Sequence, residues 1–278
     1  MKATIATPIS VLTIVKSRNE ALRNLVLGLE KSTRFPAELV IVNMNEHASE
    51  LASEKFQIRA FRYDAEEKLP LAAARNFAAK QAANPWMVFL DVDCIPAPDL
   101  VEKYLNACQK SDDLWIGPVR YLRQGATSQP DFLSEMWELS SPDPVRADLR
   151  EVTYALFWSL NFACSKQTYD RIGGFDTRFT GYGAEDTDFG FNARERSVPL
   201  SVVDAVAFHQ YHASYDPPLN HLEDIIINAK TFFDKWKIWP MEGWLRKFVN
   251  AGLIEWGDNE IKILRKPEQT EVEAALKV

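Results

Sequence analysis

Three nearly unbroken apolar runs constrain the fold before anything else: ISVLTIV at Ile9–Val15, ELVIV at residues 38–42 and WMVFL at Trp86–Leu90. A strand with one face in water alternates apolar and polar residues. A strand apolar throughout has to be covered on both faces, which helices do for parallel sheets. The segments between the runs supply those covers. Residues 20–32 have helical spacing, with Leu22, Leu25, Val26 and Leu29 on one face. Residues 71–83 are an alanine-rich helix stopped by Asn84 and Pro85. Residues 98–110 begin with proline and acids, as helix N-termini favour. Residues 58–63 and 114–122 read as two further strands. The alternation predicts an α/β fold, a Rossmann-like, mostly parallel sheet flanked by helices. In such sheets ligands bind beyond the carboxyl ends of the strands.

Beyond residue 122 the pattern changes. Residues 124–152 dissolve into Ser, Pro and Asp, a surface excursion or a mobile loop of the kind that closes over substrate. Residues 154–165 are strand-like, SKQTYDRIGGF is a short helix ending on Gly173 and Gly174, and residues 199–209 form a last strand. The tail, residues 222–278, reads as helical and carries Trp236, Trp239, Trp244 and Trp256. This divides the chain into a domain over 1–215, with halves 1–122 and 123–215, and a helical C-terminal extension over 216–278.

Bulk properties narrow the class. With 278 residues, 46% of them hydrophobic, the chain can bury a large core. A net charge of -7 and no basic stripe argue against a nucleic-acid partner. No apolar stretch approaches the ~20 residues of a membrane span, and the N-terminal run reads as a core strand rather than a signal peptide. Three cysteines without a C-x-x-C pair indicate a reduced, cytoplasmic compartment. FFDKWKIWPMEGWLRKFV, mixing aromatic and basic residues, reads as core-covering helices, with peripheral membrane contact as its second reading.

Three stretches carry chemistry. In FLDVDCIP, Asp91 and Asp93 leave an apolar strand on one face, where their charges repel unless a cation or hydrogen-bond donors join them. GYGAEDTDFGFNAR opens a helix with Glu185, Asp186 and Asp188. Capping needs one acid, and Gly-x-Gly before it frees the backbone to approach a ligand, so a carboxylate here can serve as general base toward a hydroxyl. His209 and His212 close the last strand without a zinc signature. Carboxylate plus imidazole with open positions suits Mn²⁺ or Mg²⁺.

Taken in order, VKSRNEA (15–21), LAAARNFAA (71–79), FLDVDCIP, NFACSKQTYDRIGGFDTRF (161–179), GYGAEDTDFGFNAR and FHQYH resemble the GT-A glycosyltransferases of family 2. The nearest branch is that of chondroitin polymerase domains and the β-1,4-galactosyltransferase C-terminal motif. The resemblance runs from Ile9 to His212. It implies a GT-A fold and a metal-dependent inverting enzyme moving a hexose or N-acetylhexosamine from a UDP-sugar to a glycan, lipid-linked or small hydroxyl acceptor. Under it, Asp186 is the general base and Glu185 positions a sugar. Asp91 and Val92 lie against the nucleotide, and Asp93 binds a Mn²⁺ or Mg²⁺ bridging the donor diphosphate. His209 is a second metal ligand and His212 a further metal or phosphate ligand. Val15, Ser17, Arg18 and Glu20 line the nucleotide pocket, with Arg75 reaching ribose or phosphate. Each also has a plainer reading: Arg18 and Arg75 as surface ion-pair residues, Glu20 as a helix-start acid.

One departure stands out. Many members carry an acidic D-D-G-S-like turn after the second strand, where this chain has IVNMNEHAS. Asn43 or Asn45 must substitute through an amide, or the contact is absent. Two other readings compete. A sugar nucleotidyltransferase wants a glycine-rich phosphate loop, and VKSRNEA has no glycine. A non-catalytic sugar-nucleotide or carbohydrate-binding protein has no need of the full acid and imidazole set.

Overall fold

The computed structural model describes residues 8–66, 68–146 and 153–277. In chain order the first half contains β1 (Ile9–Val15), α1 (Asn19–Glu30), β2 (Glu38–Met44), β3 (Gln57–Tyr63), α2 (Leu71–Gln81), β4 (Trp86–Leu90), β5 (Cys94–Pro96) and α3 (Leu100–Cys108). There follow β6 (Leu114–Ile116), β7 (Val119–Leu122), β8 (Ser140–Pro142), β9 (Asn161–Ser165), α4 (Lys166–Ile172), α5 (Glu185–Glu195), β10 (Leu200–Val202) and β11 (Ala207–His209). The C-terminal part holds β12 (Ser214–Tyr215), α6 (Leu222–Trp236), α7 (Glu242–Asn250), β13 (Ile254–Trp256), β14 (Ile261–Ile263), α8 (Gln269–Ala274) and β15 (Leu276–Lys277).

The main sheet has seven strands in the order β10-β6-β9-β4-β1-β2-β3. Its pairings are parallel except where β9 inserts antiparallel between β4 and β6. Every residue of β1 and β2 is buried. Alternate residues feed opposite layers: Leu12, Val40 and Phe89 join α2 on one face, while Val11, Leu39 and Val88 join Leu25 and Tyr104 on the other. Double-sided burial is therefore the reason the runs read as continuous rather than alternating.

Two segments expected as single strands are broken, and both break between sheets. LWIGPVRYL supplies β6 to the main sheet and β7 to a second sheet of order β5-β11-β7-β8. Pro118 has no N–H to continue a ladder. Gly117 lies so close to the neighbouring backbone that a Cβ there would sit 2.1 Å from the Ala205 carbonyl. PLSVVDAVAFH breaks in parallel with it, β10 pairing β6 and β11 pairing β7. The FLDVDCIP segment makes the third crossing, since β4 belongs to the main sheet and β5 to the second.

Three further differences follow from tertiary contacts. Of residues 154–165 only Asn161–Ser165 is strand. Tyr154–Leu156 is a 3-10 turn, held by the Tyr154 hydroxyl donating to the Val198 carbonyl at 2.9 Å. The extension is helical but adds a β13–β14 hairpin and β15, which pairs with β12 just before it, three- and two-residue strands too short to show a period. Within 124–146 the end of the segment is anchored rather than a surface excursion. Asp143 and Arg146 are buried, ion-paired at 2.9 Å, and the Arg146 guanidinium lies 4.3 Å from the Trp158 ring centre. Residues 147–152, the rest of the expected mobile loop, lie outside the described residues.

Candidate active site

The crossing from β4 to β5 builds the first half of the site. Asp91 does not continue the strand; its Oδ1 accepts the Asp93 N–H at 3.0 Å, closing a tight turn. That turn leaves Asp91 half-buried and Asp93 buried. On the far side the Asp93 carbonyl accepts the Gln210 N–H at 2.7 Å, and His209 pairs opposite Cys94. The antiparallel β5–β11 register thereby delivers imidazoles to a carboxylate more than a hundred residues away. Ligand atoms of Asp93, His209 and His212 lie within 4.8 Å of one another.

The electrostatics of this cluster leave its carboxylate only partly compensated. Burial, and then the charge of Asp91, push the Asp93 carboxyl up to about 6, although Arg18 and His212 pull it down. Arg18 Nε is 3.5 Å and His212 Nε2 is 3.7 Å from Asp93 Oδ2. Those contacts under-compensate the buried charge. Burial holds the His209 imidazole below its usual range, which keeps a nitrogen lone pair free. One carboxylate and two imidazoles with remaining positions open fit a divalent ion such as Mn²⁺.

Sequence reasoning missed what supports the cluster. Gln210 is buried between the histidines; its Nε2 donates to the Ala21 carbonyl at 3.0 Å and its Oε1 accepts from Asn24 Nδ2 at 2.8 Å. It ties the end of β11 to α1. A polar residue between two histidines at a strand end was the available signal. Cys94 is fully buried, its thiol pushed well up by that burial. It is a small core residue beneath the site and not a nucleophile.

The other expected nucleotide residues have mixed placements. Val15 and Val92 are core residues, and Glu20 is exposed on the first turn of α1. Ser17 takes a left-handed backbone (φ 55°) and donates its N–H to Glu46 Oε2 at 2.8 Å. The Asn43 amide is occupied at both ends by Ser49, donating at 2.8 Å and accepting at 3.1 Å. Asn45 Oδ1 accepts the Ala65 N–H at 2.7 Å. Both amides hold their own loops.

The second half of the site is the loop before α5. Gly181, Gly183 and Ala184 all take left-handed backbone, with φ of 71°, 101° and 70°. The extension clamps this loop. Asn228 Nδ2 on α6 donates to the carbonyls of Thr180, Tyr182 and Gly183 at 3.0, 3.3 and 2.9 Å. Asp224 packs over Gly181 while paired to Lys68 at 2.6 Å. Asp188, fully buried, accepts from Trp236 Nε1 at 2.7 Å and pairs with Lys235 at 2.8 Å. The third acid of the motif is thus an anchor for α6. A Cβ on Gly181 would meet Asp224 Oδ2 at 2.2 Å. We therefore expect Gly181→Ala to cost roughly 1–3 kcal/mol in urea unfolding, from left-handed strain and the displaced ion pair. An unchanged midpoint would show that the clamp carries no strain-sensitive contact.

On the first turn of α5, just after that loop, Glu185 and Asp186 play different parts. Glu185 Oε1 accepts from Arg75 Nη1 at 3.0 Å, both side chains buried, with the guanidinium 5.1 Å from the Phe175 ring centre. Arg75 and Asp91 line one pocket together with Leu12, Ile14, Phe89 and Ser159. Asp186 is half-buried. Burial first, then the charge of Glu185, push its carboxyl up to about 7, with Arg75 and Arg146 pulling the other way. A carboxyl poised near neutrality is suited to proton transfer.

Comparison with known proteins accords with this geometry. A family model described as glycosyl transferase family 2 matches residues 10–173, and one described as the N-terminal domain of galactosyltransferase matches 149–215. The chain is 24% identical over 233 residues to validoxylamine A glucosyltransferase of Streptomyces hygroscopicus subsp. limoneus, covering 72% of this chain and 51% of that protein. It is 28% identical over 169 residues to chondroitin synthase of Escherichia coli, covering 50% of this chain and 25% of the relative. With hyaluronan synthase of Pasteurella multocida it shares 26% identity over 216 residues, 66% of this chain and 22% of the relative. The chain thus spans about half or less of the length of these curated relatives. The crystal structure of GalNAc-T7 with UDP, GalNAc and Mn²⁺ superposes with a TM-score of 0.52 at 13% identity, covering 90% of this chain and 58% of that one. The fold is therefore GT-A. With its model matched over more than half of the sequence, the chain belongs to glycosyl transferase family 2.

Proposed function

We propose that the protein transfers a hexose or N-acetylhexosamine from a UDP-sugar to an acceptor hydroxyl, with inversion, assisted by a divalent cation. One observation carries the reading. A carboxyl raised to about 7 at Asp186 sits at the start of α5 next to Glu185, which is paired to Arg75 of α2, and a separate Asp93–His209–His212 cluster offers a cation site. The names of the relatives, a glucosyltransferase and two glycan synthases, support the reaction class, and the UDP and Mn²⁺ of GalNAc-T7 support the donor and the ion.

The chemistry follows from the residues. Asp186 takes the acceptor hydroxyl proton as that oxygen attacks the anomeric carbon, the glycosidic C–O bond to the diphosphate breaks, and the electron pair leaves on the diphosphate. A single base and a single displacement invert the centre. Glu185 holds Arg75 at the pocket shared with Asp91. Arg18 adds positive charge beside Asp93. Mn²⁺ or Mg²⁺ held by Asp93, His209 and His212 supplies charge stabilisation for the leaving diphosphate when bound. Ser17, Arg18 and Asp91 stay on the nucleotide side, with residues 1–122 as the donor half, 123–215 as the acceptor half and 216–278 as the extension bracing the base loop.

A panel of UDP- and GDP-sugars with Mn²⁺ tests the donor by thermal stabilisation. At a hundred times Kd the expected gain is about 2.7 kcal/mol, a shift of a few degrees. Stabilisation by GDP-sugars alone, or by none, would overturn the donor assignment. Among the described residues no helix is long and apolar enough to cross a membrane. Peripheral contact through the extension is the form a lipid-linked acceptor calls for. Flotation of the intact chain with liposomes checks it, and failure to float leaves glycan or small-molecule acceptors.

A further inference from the structure

Two consecutive carboxylates open α5, and one cation of α2 stands against the first of them. Glu185 is buried and its Oε1 accepts from Arg75 Nη1 at 3.0 Å, while Asp186, the next residue, is half-buried. Neighbouring carboxylates partly closed off from water repel each other, so the charge of the first bears on the second. With Arg75 in place, the Glu185 charge is neutralised. Arg75 is also held far more firmly than a surface ion pair. Its helix packs through buried Ala72, Ala74 and Ala78 into the layer that holds Phe175 and Phe189. The guanidinium lies 5.1 Å from the Phe175 ring centre, a cation–π contact. Asn76, the next residue of α2, fixes the backbone of that ring. Its Nδ2 donates to the Phe175 carbonyl at 2.8 Å, and its Oδ1 accepts the Phe175 N–H at 2.8 Å. The Phe175 ring stacks on Phe189 of α5 at 4.4 Å and 17°, one helical turn beyond Glu185 on the same face.

The other charged and titratable groups around the head of α5 are already settled. Arg146 acts on Asp186 less than Arg75 does and is paired with Asp143. Asp188 pairs with Lys235, and Asp224 of α6 with Lys68. Burial, then the charges of Glu185, Asp186 and Asp91, push the Tyr182 hydroxyl up to about 12, and burial holds His221 below its usual range. Both are therefore neutral near pH 7. Asp91 lies across the pocket that Arg75 lines. The Arg75–Glu185 pair is the charge balance that bears most directly on the Asp186 carboxyl.

We propose that Arg75, seated on Phe175 and acting through Glu185, is a positioning residue that keeps the head of α5 from carrying two bare negative charges and so leaves Asp186 able to shed and take a proton near neutral pH. This rests on the reading of Asp186 as the base of glycosyl transfer and adds the pair that base depends on. It also gives Glu185 a part that needs no contact with either sugar.

The test titrates the Asp186 side-chain carboxyl by carbon-detected NMR in the full chain without substrate, its signal identified by its loss in Asp186→Asn. Glu185→Gln keeps an acceptor for Arg75 and lowers the titration midpoint by about one pH unit. Arg75→Met raises it by about as much. The double variant returns to within about half a unit of the wild type, because the opposed charges leave together. Simple damage to the fold has no reason to cancel in this way. Arg75→Met strands the buried Glu185 carboxylate; should it not fold, Glu185→Gln and the double variant carry the test. The pH–rate curve for UDP-sugar turnover is measured on the same variants and moves with the midpoint. A midpoint unmoved by Glu185→Gln, or a double variant displaced by a full unit, overturns the proposal. Midpoints that move as expected while the rate curve stays in place uphold the charge balance and remove Asp186 from the base role instead.

Discussion

Asp186→Asn is expected to lower the transfer rate by roughly 10²–10⁴-fold while donor affinity stays nearly unchanged, the signature of a lost general base rather than a lost binding contact. The wild-type rate should rise with pH and level off above about 7, because the base works only when deprotonated and burial beside Glu185 raises it to that value. The same shift has a consequence for stability. A carboxyl whose folded pKa exceeds its unfolded value favours the fold when protonated. That contribution is complete below the ordinary value of 3.8 and disappears as pH rises through about 7. Asparagine mimics the protonated form at every pH. Above pH 7 the variant should therefore be more stable than the wild type, by about 1–3 kcal/mol in urea unfolding. An active, pH-dependent Asp186→Asn enzyme would remove the residue from the base role. A less stable variant would show that the charged form is well solvated in the fold.

Asp93→Ala carries the second large effect. Mn²⁺-dependent UDP binding in calorimetry should fall at least about a hundredfold, since the carboxylate is the only anionic member of the donor set. His209→Ala should fall less, by about 10- to 100-fold, because His212 and Asp93 remain. The thermal midpoint of the metal-free protein should move little, since Asp93 is buried with only partial compensation from Arg18 and His212. Retained Mn²⁺-dependent binding in Asp93→Ala would place the ion elsewhere. A collapsed midpoint without metal would instead make Asp93 a structural residue.

How much of this could be read beforehand depended on range. Chemistry demands particular residue types, so Asp93, His209, Glu185, Asp186 and Arg75 stood out by type and position along strands and helices. Their supports did not. Gln210 reaches Asn24 across 186 residues, and Asn228 reaches the base loop from the extension. An amide in a sequence gives no sign of which distant carbonyl it will meet. Asn43 and Asn45 show the converse. Their position suggested a base contact, but local loop closure occupies both ends of the Asn43 amide with Ser49 and the Asn45 side-chain carbonyl with the Ala65 N–H. Arg146 fell in a stretch that looked like loose surface, yet a buried pairing with Asp143 anchors it and its charge reaches Asp186.

By itself the sequence determined the layered α/β sheet and the inventory of acids and imidazoles, because burial on both faces and the needs of proton and metal chemistry are written in local residue choice. Only the tertiary structure decided that three chain segments change sheets. Pairing β5 with β11 after those crossings brings Asp93 to His209, and the extension grips the loop of Asp186. Those outcomes turn on close packing at Gly117 and on partners far apart in the chain, Cys94 with His209 and Gly183 with Asn228, which no local periodicity encodes.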